Sequence, residues 1–214
     1  ETETVDKLFC MFDEHLENKG LISHKGTIVD ATFVDAPRQR NSRDENKKIK
    51  NGVIPEEWEK PENKSKLAQK DIDADWTKKN GERHFGYKDH VKCDADSKLI
   101  TNYSVTSASV HDSQRCLVFI GQEDEVLYAD SAYSGKPIAL ALPENCKNQI
   151  CEKGYRNSPL TSEQKMNNRR KSRIRCRIEQ IFGFMTGAMH GITIRSIGIT
   201  RAWMNIGITN LVYN

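Results

Sequence analysis

The spacing of apolar positions along the chain separates predicted helices from predicted strands. Val5, Leu8, Phe9, Phe12 and Leu16 recur at helical spacing and predict a helix over residues 2–19 that ends at Gly20. Residues 26–36 then predict a strand, because β-branched and aromatic residues fit the pleated surface of a sheet. The later predicted elements are a hairpin of strands over 84–92 and 99–107, a short helix over 110–120 with Ser109 or Asp112 as its N-cap, a buried strand over 126–129, a helix over 134–142 and a last strand over 145–151.

Helical periodicity returns in the last third of the chain. A long amphipathic helix begins at Ser162, and its apolar stripe consists of Ile174, Ile178, Ile181, Phe182 and Met185. Residues 198–212 predict a final helix with Trp203, Ile206, Ile208 and Leu211 as core candidates. At 214 residues, the chain suits one α/β domain, or one such domain with a large insertion.

The insertion is predicted at about residues 37–82, where apolar residues become rare and Lys, Asn, Glu and Asp dominate around Pro55 and Pro61. We expect a surface segment between two strands, partly disordered. It is either a functional loop or a solvated tether without function. A base-stacking role for Trp58, Trp76 or Trp203 stays open, since no spacing selects one of them.

Charge is distributed unevenly along a polar chain. Hydrophobic residues make up 36% and charged residues 29%, and no run approaches the length of a membrane span. The net charge is only +3, yet residues 165–177 contain no acidic residue. The basic residues of that segment are Lys165, Arg169, Arg170, Lys171, Arg173, Arg175 and Arg177. Such a cluster favours a polyanionic partner.

The six cysteines are scattered and form no CxxC pair, which argues against a zinc ribbon. With no secretory signal at the start of the chain, we expect reduced thiols in a cytoplasm. The first residue is not Met, so we expect a fragment or a processed chain.

Asp30 is the residue that folding alone does not explain. It stands in the middle of an apolar strand, and a buried carboxylate costs several kcal/mol unless a cation pairs with it. We interpret Asp30 as a metal ligand. The alternative is a solvated strand face, but the neighbours on that face, Ile28, Thr32 and Val34, are largely apolar.

Two further carboxylates belong to the same hypothesis. Asp130 follows the predicted strand 126–129, and the carboxyl ends of strands in open α/β sheets are where ligands collect. Glu179 lies beside the apolar stripe of the long helix, one turn after Arg175. The alternative for this last pair is an exposed ion pair that contributes little.

Five motifs in series resemble the DDE transposases, and more specifically the insertion sequence 5 group of the insertion sequence 4 superfamily. They are Val29-Asp30-Ala31-Thr32, Phe85-Gly86-Tyr87-Lys88, Ala108-Ser109-Val110-His111-Asp112-Ser113, Tyr128-Ala129-Asp130-Ser131-Ala132-Tyr133, and Arg175-x-x-x-Glu179-x-x-Phe182-Gly183. The resemblance implies an α/β fold with an RNase H-like core, in which helices flank a mixed five-stranded sheet and a long polar insertion follows the first strand. It also implies that residues 1–20 are the remnant of an N-terminal helical domain and that residues 21–214 form the catalytic domain.

The resemblance further implies the chemistry of the site. Asp30, Asp130 and Glu179 would be the catalytic triad and would hold two Mg²⁺ or Mn²⁺ ions for DNA cleavage and strand transfer at insertion-sequence ends. Phosphate contacts would come from Arg175, Lys88, Arg169, Arg170, Lys171 and Arg173. The implied partners are the transposon ends and the target, both double-stranded DNA, and a second copy of the chain on the DNA. Neither a membrane nor a small-molecule cofactor is expected, and the location would be the bacterial or archaeal cytoplasm, at the nucleoid.

Two positions depart from the family pattern. The family commonly has Tyr three residues before the Arg and Lys seven residues after the Glu, where this chain has Ser172 and Thr186. Three functions therefore stay open: a transposase, a metal-dependent nuclease without strand transfer, and an inactive DNA-binding fragment of a decayed transposase.

The metal hypothesis predicts a calorimetric result. Mn²⁺ and Mg²⁺ should bind the parent chain, and folded Asp30→Asn and Asp130→Asn variants should both lose that binding, because both carboxylates are ligands of one site. Equal binding by all three proteins would contradict the shared site.

Overall fold

The strand that carries Asp30 lies in the middle of the sheet. The structure is a computed structural model that describes residues 2–79 and 81–214. Strand β1 spans Thr27–Asp35. It pairs antiparallel with β3, Glu82–Asp94, on one side and parallel with β5, Val126–Tyr128, on the other. Strand β3 pairs along the whole of β1, whereas β5 pairs with its first two residues, Thr27 and Ile28.

The remaining strands extend this centre in both directions. They are β2, Asp75–Lys79, β4, Ile100–Ser107, and β6, Lys147–Asn148. The sheet runs β2-β3-β1-β5-β6, with β4 also paired to β3. This mixed six-stranded sheet flanked by helices confirms the predicted α/β class and is consistent with an RNase H-like core. It has one strand more than expected, because β2 forms within the predicted insertion.

Helices cover both faces of the sheet. They are α1, Thr2–Asn18; α2, Arg43–Lys50; α3, Glu56–Glu59; α4, Lys64–Ala68; α5, Ser113–Phe119; α6, Lys136–Ala141; α7, Ser162–Gly187; and α8, Ile199–Tyr213. Short 3₁₀ turns occupy Pro61–Asn63 and Ser131–Tyr133. Across residues 2–79 and 81–214, no helix has both the length and the apolar character needed to cross a bilayer.

The sheet separates two hydrophobic cores. On one face, Ile28 of β1 belongs to a cluster with Ile178 and Ile181 of α7 and Ile206 of α8. On the other face, the next residue of β1, Val29, belongs to a cluster with Phe119, Leu127, Tyr133 and Ile138. The alternation of side chains along β1 therefore joins both cores to one strand, which fixes its register.

Helix α1 is tied to the first of these cores by a polar contact. The Oδ1 atom of Asp6 accepts hydrogen bonds from the Tyr103 hydroxyl at 2.6 Å and from the Trp203 indole nitrogen at 2.9 Å. Phe9 packs edge-on against Tyr103 with ring centroids 5.0 Å apart. Residues 2–18 thus pack against the sheet and α8, whatever precedes them.

The insertion is more ordered than its composition predicts. Helices α2, α3 and α4 all lie inside residues 37–82, around the fully buried ring of Trp58. The indole nitrogen of Trp58 donates to Glu45 at 2.7 Å, and the ammonium groups of Lys66 and Lys70 lie within 5.5 Å and 5.2 Å of its ring centre. One aromatic anchor surrounded by cations and a carboxylate holds this polar segment together. Burial also removes Trp58 from the candidates for base stacking.

Tyr87 connects the insertion to the sheet. Its hydroxyl lies 2.8 Å and 2.7 Å from the two carboxylate oxygens of the buried Asp71. Next to it, Gly86 has φ +146°, and a Cβ atom there would meet the backbone of Val34 and Ala36. The Gly-Tyr pair of the second motif is therefore explained by folding: the glycine admits the neighbouring strand, and the tyrosine fixes the end of the insertion.

Several local predictions were wrong in detail. Strand β6 has two residues rather than the seven of 145–151. Helix α5 begins at Ser113, and the Asp112 side chain caps nothing because it pairs with Lys88 instead. Ile208, expected in the core, is 45% exposed, whereas Ala202 and Asn210 of the same helix are buried. Tertiary contacts override the local pattern in each case.

The buried Asp89 predicts a pH-dependent stability. Burial raises its pKa to about 8, and its one described hydrogen bond comes from Asn210 at 3.2 Å. The folded state then binds a proton more tightly than the unfolded state, so the free energy of unfolding should fall between about pH 4 and pH 8, by up to about 1.4 kcal/mol per pH unit. Urea denaturation of Asp89→Asn should show a flatter profile over this range, whereas the exposed Asp44→Asn control should keep the parent slope.

Candidate active site

The parallel pairing of β1 with β5 brings two aspartates close together near the middle of the sheet. Thr27 lies opposite Leu127, and Ile28 lies opposite Tyr128. Asp30 follows Ile28 by two residues within β1, and Asp130 follows Tyr128 by two residues, just beyond the end of β5. Because adjacent strands are about 4.8 Å apart, this register places both carboxylates in one neighbourhood.

The loop after β5 fixes the second aspartate. The Oδ1 atom of Asp130 accepts a hydrogen bond from the backbone nitrogen of Ala132 at 2.6 Å, at the start of the Ser131–Tyr133 turn. Asp130 is therefore held by its own chain at the point where β5 ends. Asp130 thus follows the end of this strand, as its place in the sequence predicted.

Arg175 of α7 links the third carboxylate to the first. One guanidinium nitrogen lies 2.9 Å from Oδ2 of Asp30, and the other lies 2.5 Å from Oε1 of Glu179. The side chains of Asp30 and Arg175 are 14% and 19% exposed, so the first contact is largely shielded from water, whereas Glu179 is 54% exposed. The contact between Arg175 and Glu179 is thus not an isolated exposed ion pair, because the same guanidinium also contacts Asp30, 145 residues earlier in the chain.

The electrostatics of Asp30 reflect its burial. Desolvation raises the pKa of Asp30 and outweighs the hydrogen bond from the Ala31 backbone and the attraction of Arg175, while the nearby charge of Asp130 raises it further. Two carboxylates that disfavour each other's charge are a site for additional positive charge. Such a perturbed acid in a cleft is also a common feature of functional sites.

The donor set suits a hard divalent cation. Asp30, Asp130 and Glu179 supply only carboxylate oxygens, the ligand type preferred by Mg²⁺ and Mn²⁺. Within the described ranges 2–79 and 81–214, no three acidic, His or Cys side chains are gathered closely enough to form a metal cluster. In this conformation the Arg175 guanidinium lies between two of the three carboxylates and compensates their charge.

A second ion pair lies beside this site, on the other face of β1. The Lys88 ammonium is 2.7 Å from Asp112 and donates to the Val110 carbonyl, also at 2.7 Å. Both side chains are mostly buried, at 10% and 14% exposure. The ammonium also lies 5.3 Å from the ring centre of Phe33. Lys88 is thus held within the protein, and its predicted contact with DNA requires it to exchange these partners.

Two further residues near Asp30, Tyr133 and Asp112, were not predicted as site residues. The Tyr133 ring is fully buried, and its hydroxyl has no hydrogen-bond partner among the described residues. Burial raises the pKa of Tyr133, and the charges of Asp30 and Asp112 raise it further. Both residues stood in the matching motifs, so membership of a motif was the signal that pointed to them.

The other predicted phosphate contacts divide into two groups. The Lys171 ammonium donates to the Ile150 carbonyl at 2.9 Å, so this group already has a partner within the protein. Arg169, Arg170 and Arg173 are exposed on α7.

At the two departures from the family pattern, Ser172 lies 3.8 Å from the Cys151 sulfur, and the Thr186 hydroxyl donates to the Phe182 carbonyl. All six cysteines are free.

Comparisons with known proteins identify the family of the chain. The sequence profile described as "Transposase DDE domain" matches residues 22–214, and the chain belongs to this family. A transposase for insertion sequence element IS1106 from Neisseria meningitidis serogroup B is 30% identical over 190 residues, which cover 85% of this chain and 61% of that protein. The chain thus spans less than two thirds of this relative's length. No solved structure matches.

The Lys88–Asp112 pair predicts a double-mutant cycle. Lys88→Met or Asp112→Leu alone should lower the free energy of unfolding by about 3–5 kcal/mol, because each leaves a buried charge without its partner. The double variant should recover most of that loss. Chemical denaturation measures all three, with the exposed Lys7→Met as control, and additive losses would mean that the two side chains do not form this pair in solution.

Proposed function

We propose that this chain carries the catalytic site of an insertion-sequence transposase, which cleaves DNA and transfers a 3′-hydroxyl end in the presence of a divalent metal. The family membership supplies the class of enzyme. The observation that carries the site assignment is the bridge from Arg175 to Asp30 and Glu179, combined with the β1–β5 register that adds Asp130.

In this proposal the three carboxylates are the catalytic residues. Asp30 is fixed by the backbone of β1 and Asp130 by the turn after β5, whereas Glu179 is carried by α7 and is the most exposed of the three. The helix is therefore the element through which the third ligand can adjust. Two Mg²⁺ or Mn²⁺ ions held by Asp30, Asp130 and Glu179 would activate a water or a DNA 3′-hydroxyl and stabilise the leaving oxygen.

Arg175 is a positioning residue in the conformation described. It neutralises Asp30 and Glu179 at the same time, which keeps two like charges close together in a half-buried site. Cations held by the carboxylates would take over this compensation from the guanidinium. Its planar fork is then suited to a phosphate oxygen pair of the DNA, as are the exposed Arg169, Arg170 and Arg173 on the same helix.

The proposal predicts the loss of cleavage on removal of any one carboxylate. With Mg²⁺ and duplex DNA carrying the ends of the insertion sequence, Asp30→Asn, Asp130→Asn and Glu179→Gln should each lower the cleavage rate about a thousandfold or more, because the three act as one unit. Glu14→Gln, an exposed change on α1, is the matched control. Gel analysis of end-labelled strands measures the rate, and circular dichroism checks the fold.

A second substrate separates the proposed transposase from its alternatives. With a pre-cut duplex that presents a free 3′-hydroxyl, the parent should join this end to target DNA. Cleavage without joining would support a nuclease, and DNA binding without either reaction would support an inactive fragment. Carboxylate variants that cleave as fast as the parent would overturn the site assignment.

A further inference from the structure

A basic groove lies outside the carboxylate site, between α2 and the hairpin of β2 and β3. It is open to solvent and has a volume of about 1000 Å³. Arg43, Lys47 and Lys50 line it from the helix, and Lys78 and Arg83 line it from the hairpin. The acidic residues in its lining are Asp44 and Asp75, so the charges of the lining sum to about +3.

The arrangement of these cations follows from the secondary structure. Arg43, Lys47 and Lys50 are spaced four and three residues apart, which places them on one side of α2 over a length of about 10 Å. Lys78 and Arg83 are direct partners across the antiparallel pairing of β2 with β3. Like charges at directly opposed positions destabilise a hairpin, so folding alone does not favour this pair.

These cations differ from most of those near the carboxylates in lacking internal partners. Across residues 2–79 and 81–214, none of the five forms a salt bridge. Lys88 and Arg175, by contrast, are both paired with carboxylates. A row of unpaired cations along a groove is complementary to a polyanion.

The groove has fixed walls. A capping box at Ser42 and Glu45 begins α2, and Glu45 also accepts the hydrogen bond of the buried Trp58. The hairpin wall is part of the sheet, and Trp76 of β2 packs against Phe85 with ring centroids 5.0 Å apart. Arg38 lies 5.8 Å from the centre of the Trp76 ring. The Trp76 ring thus already contacts Phe85 and Arg38, which favours a role in the groove wall over stacking of a base.

The hairpin also connects the groove to the carboxylate site. The ammonium of Lys79, the residue after Lys78, lies 5.6 Å from the ring centre of Phe33, which follows Asp30 by three positions on β1. Burial dominates the raised pKa of Asp30, but the Lys79 charge is near enough to lower it. The hairpin that forms one wall of the groove therefore also carries a positive charge close to Asp30.

We propose that the groove between α2 and the β2–β3 hairpin binds the phosphate backbone of double-stranded DNA and forms a second contact surface beside the catalytic site. This inference rests on the proposed function for the identity of the polyanion. It assigns a role to the insertion: residues 37–82 fold around Trp58 in order to present α2 to the DNA.

Equilibrium binding tests the proposal without any reaction. Anisotropy of a labelled duplex of arbitrary sequence gives the dissociation constant of the whole chain in EDTA at several salt concentrations. Lys47→Gln/Lys50→Gln should weaken binding at least tenfold at 0.1 M salt and lower the slope of log affinity against log salt by about 2, one unit for each lost phosphate contact. Lys47→Arg/Lys50→Arg should bind like the parent, because it keeps both charges.

The control and the contrary results are defined by charge. Lys7→Gln/Lys19→Gln removes two exposed positive charges from the α1 region and should leave the slope unchanged. An equal loss in this control, an unchanged slope in the groove variant, or no duplex binding by the parent would each overturn the proposal. The binding assay contains no divalent metal, so it tests the groove independently of cleavage. A chain that binds duplex DNA through the groove but does not cleave it when Mg²⁺ is supplied would refute the proposed function and leave the groove assignment in place.

Discussion

The parallel pairing of β1 with β5 is the constraint on which the site depends. Backbone hydrogen bonds on both edges of β1 fix its register, and that register decides where Asp30 lies relative to Asp130. The two hydrophobic cores on either face of β1 make a slip costly, because a shift by one residue would exchange Ile28 with Val29 and turn Asp30 to the other face. A carboxylate that is unfavourable for folding is thus held in place by favourable packing around it.

The protein handles its positive charges in two ways. Near the carboxylates, cations are compensated inside the fold, as with Arg175 between Asp30 and Glu179 and Lys88 beside Asp112. In the groove along α2, the cations face solvent and one another. The first arrangement stabilises a half-buried site, whereas the second reduces stability unless a partner supplies negative charge. This contrast is the reason why we propose reversible DNA contacts in the groove and on the exposed part of α7, rather than at Lys88.

Sequence reasoning succeeded where a signal is local and failed where a contact is distant. The α7 stripe, the β3–β4 hairpin and the α1 stop at Gly20 are encoded within a few turns or a few residues of chain. The helices within residues 37–82 were not predicted, because they gather around Trp58, a single aromatic residue whose burial no periodicity predicts. Asp112 occupies the predicted N-cap position of α5, but its side chain makes no capping hydrogen bond because it pairs with Lys88, 24 residues earlier.

By itself, the sequence determined the α/β class, the order of the main elements outside residues 37–82, and the selection of Asp30, Asp130 and Glu179 as a candidate set. These follow from periodicity, from the cost of placing a carboxylate in an apolar strand and from motifs in series. Only the tertiary structure decided which charges are paired, that Arg175 contacts a residue 145 positions earlier in the chain, and that α2 faces a basic hairpin. The physical reason is that electrostatic interactions depend on distance in space and on burial, and a linear pattern fixes neither.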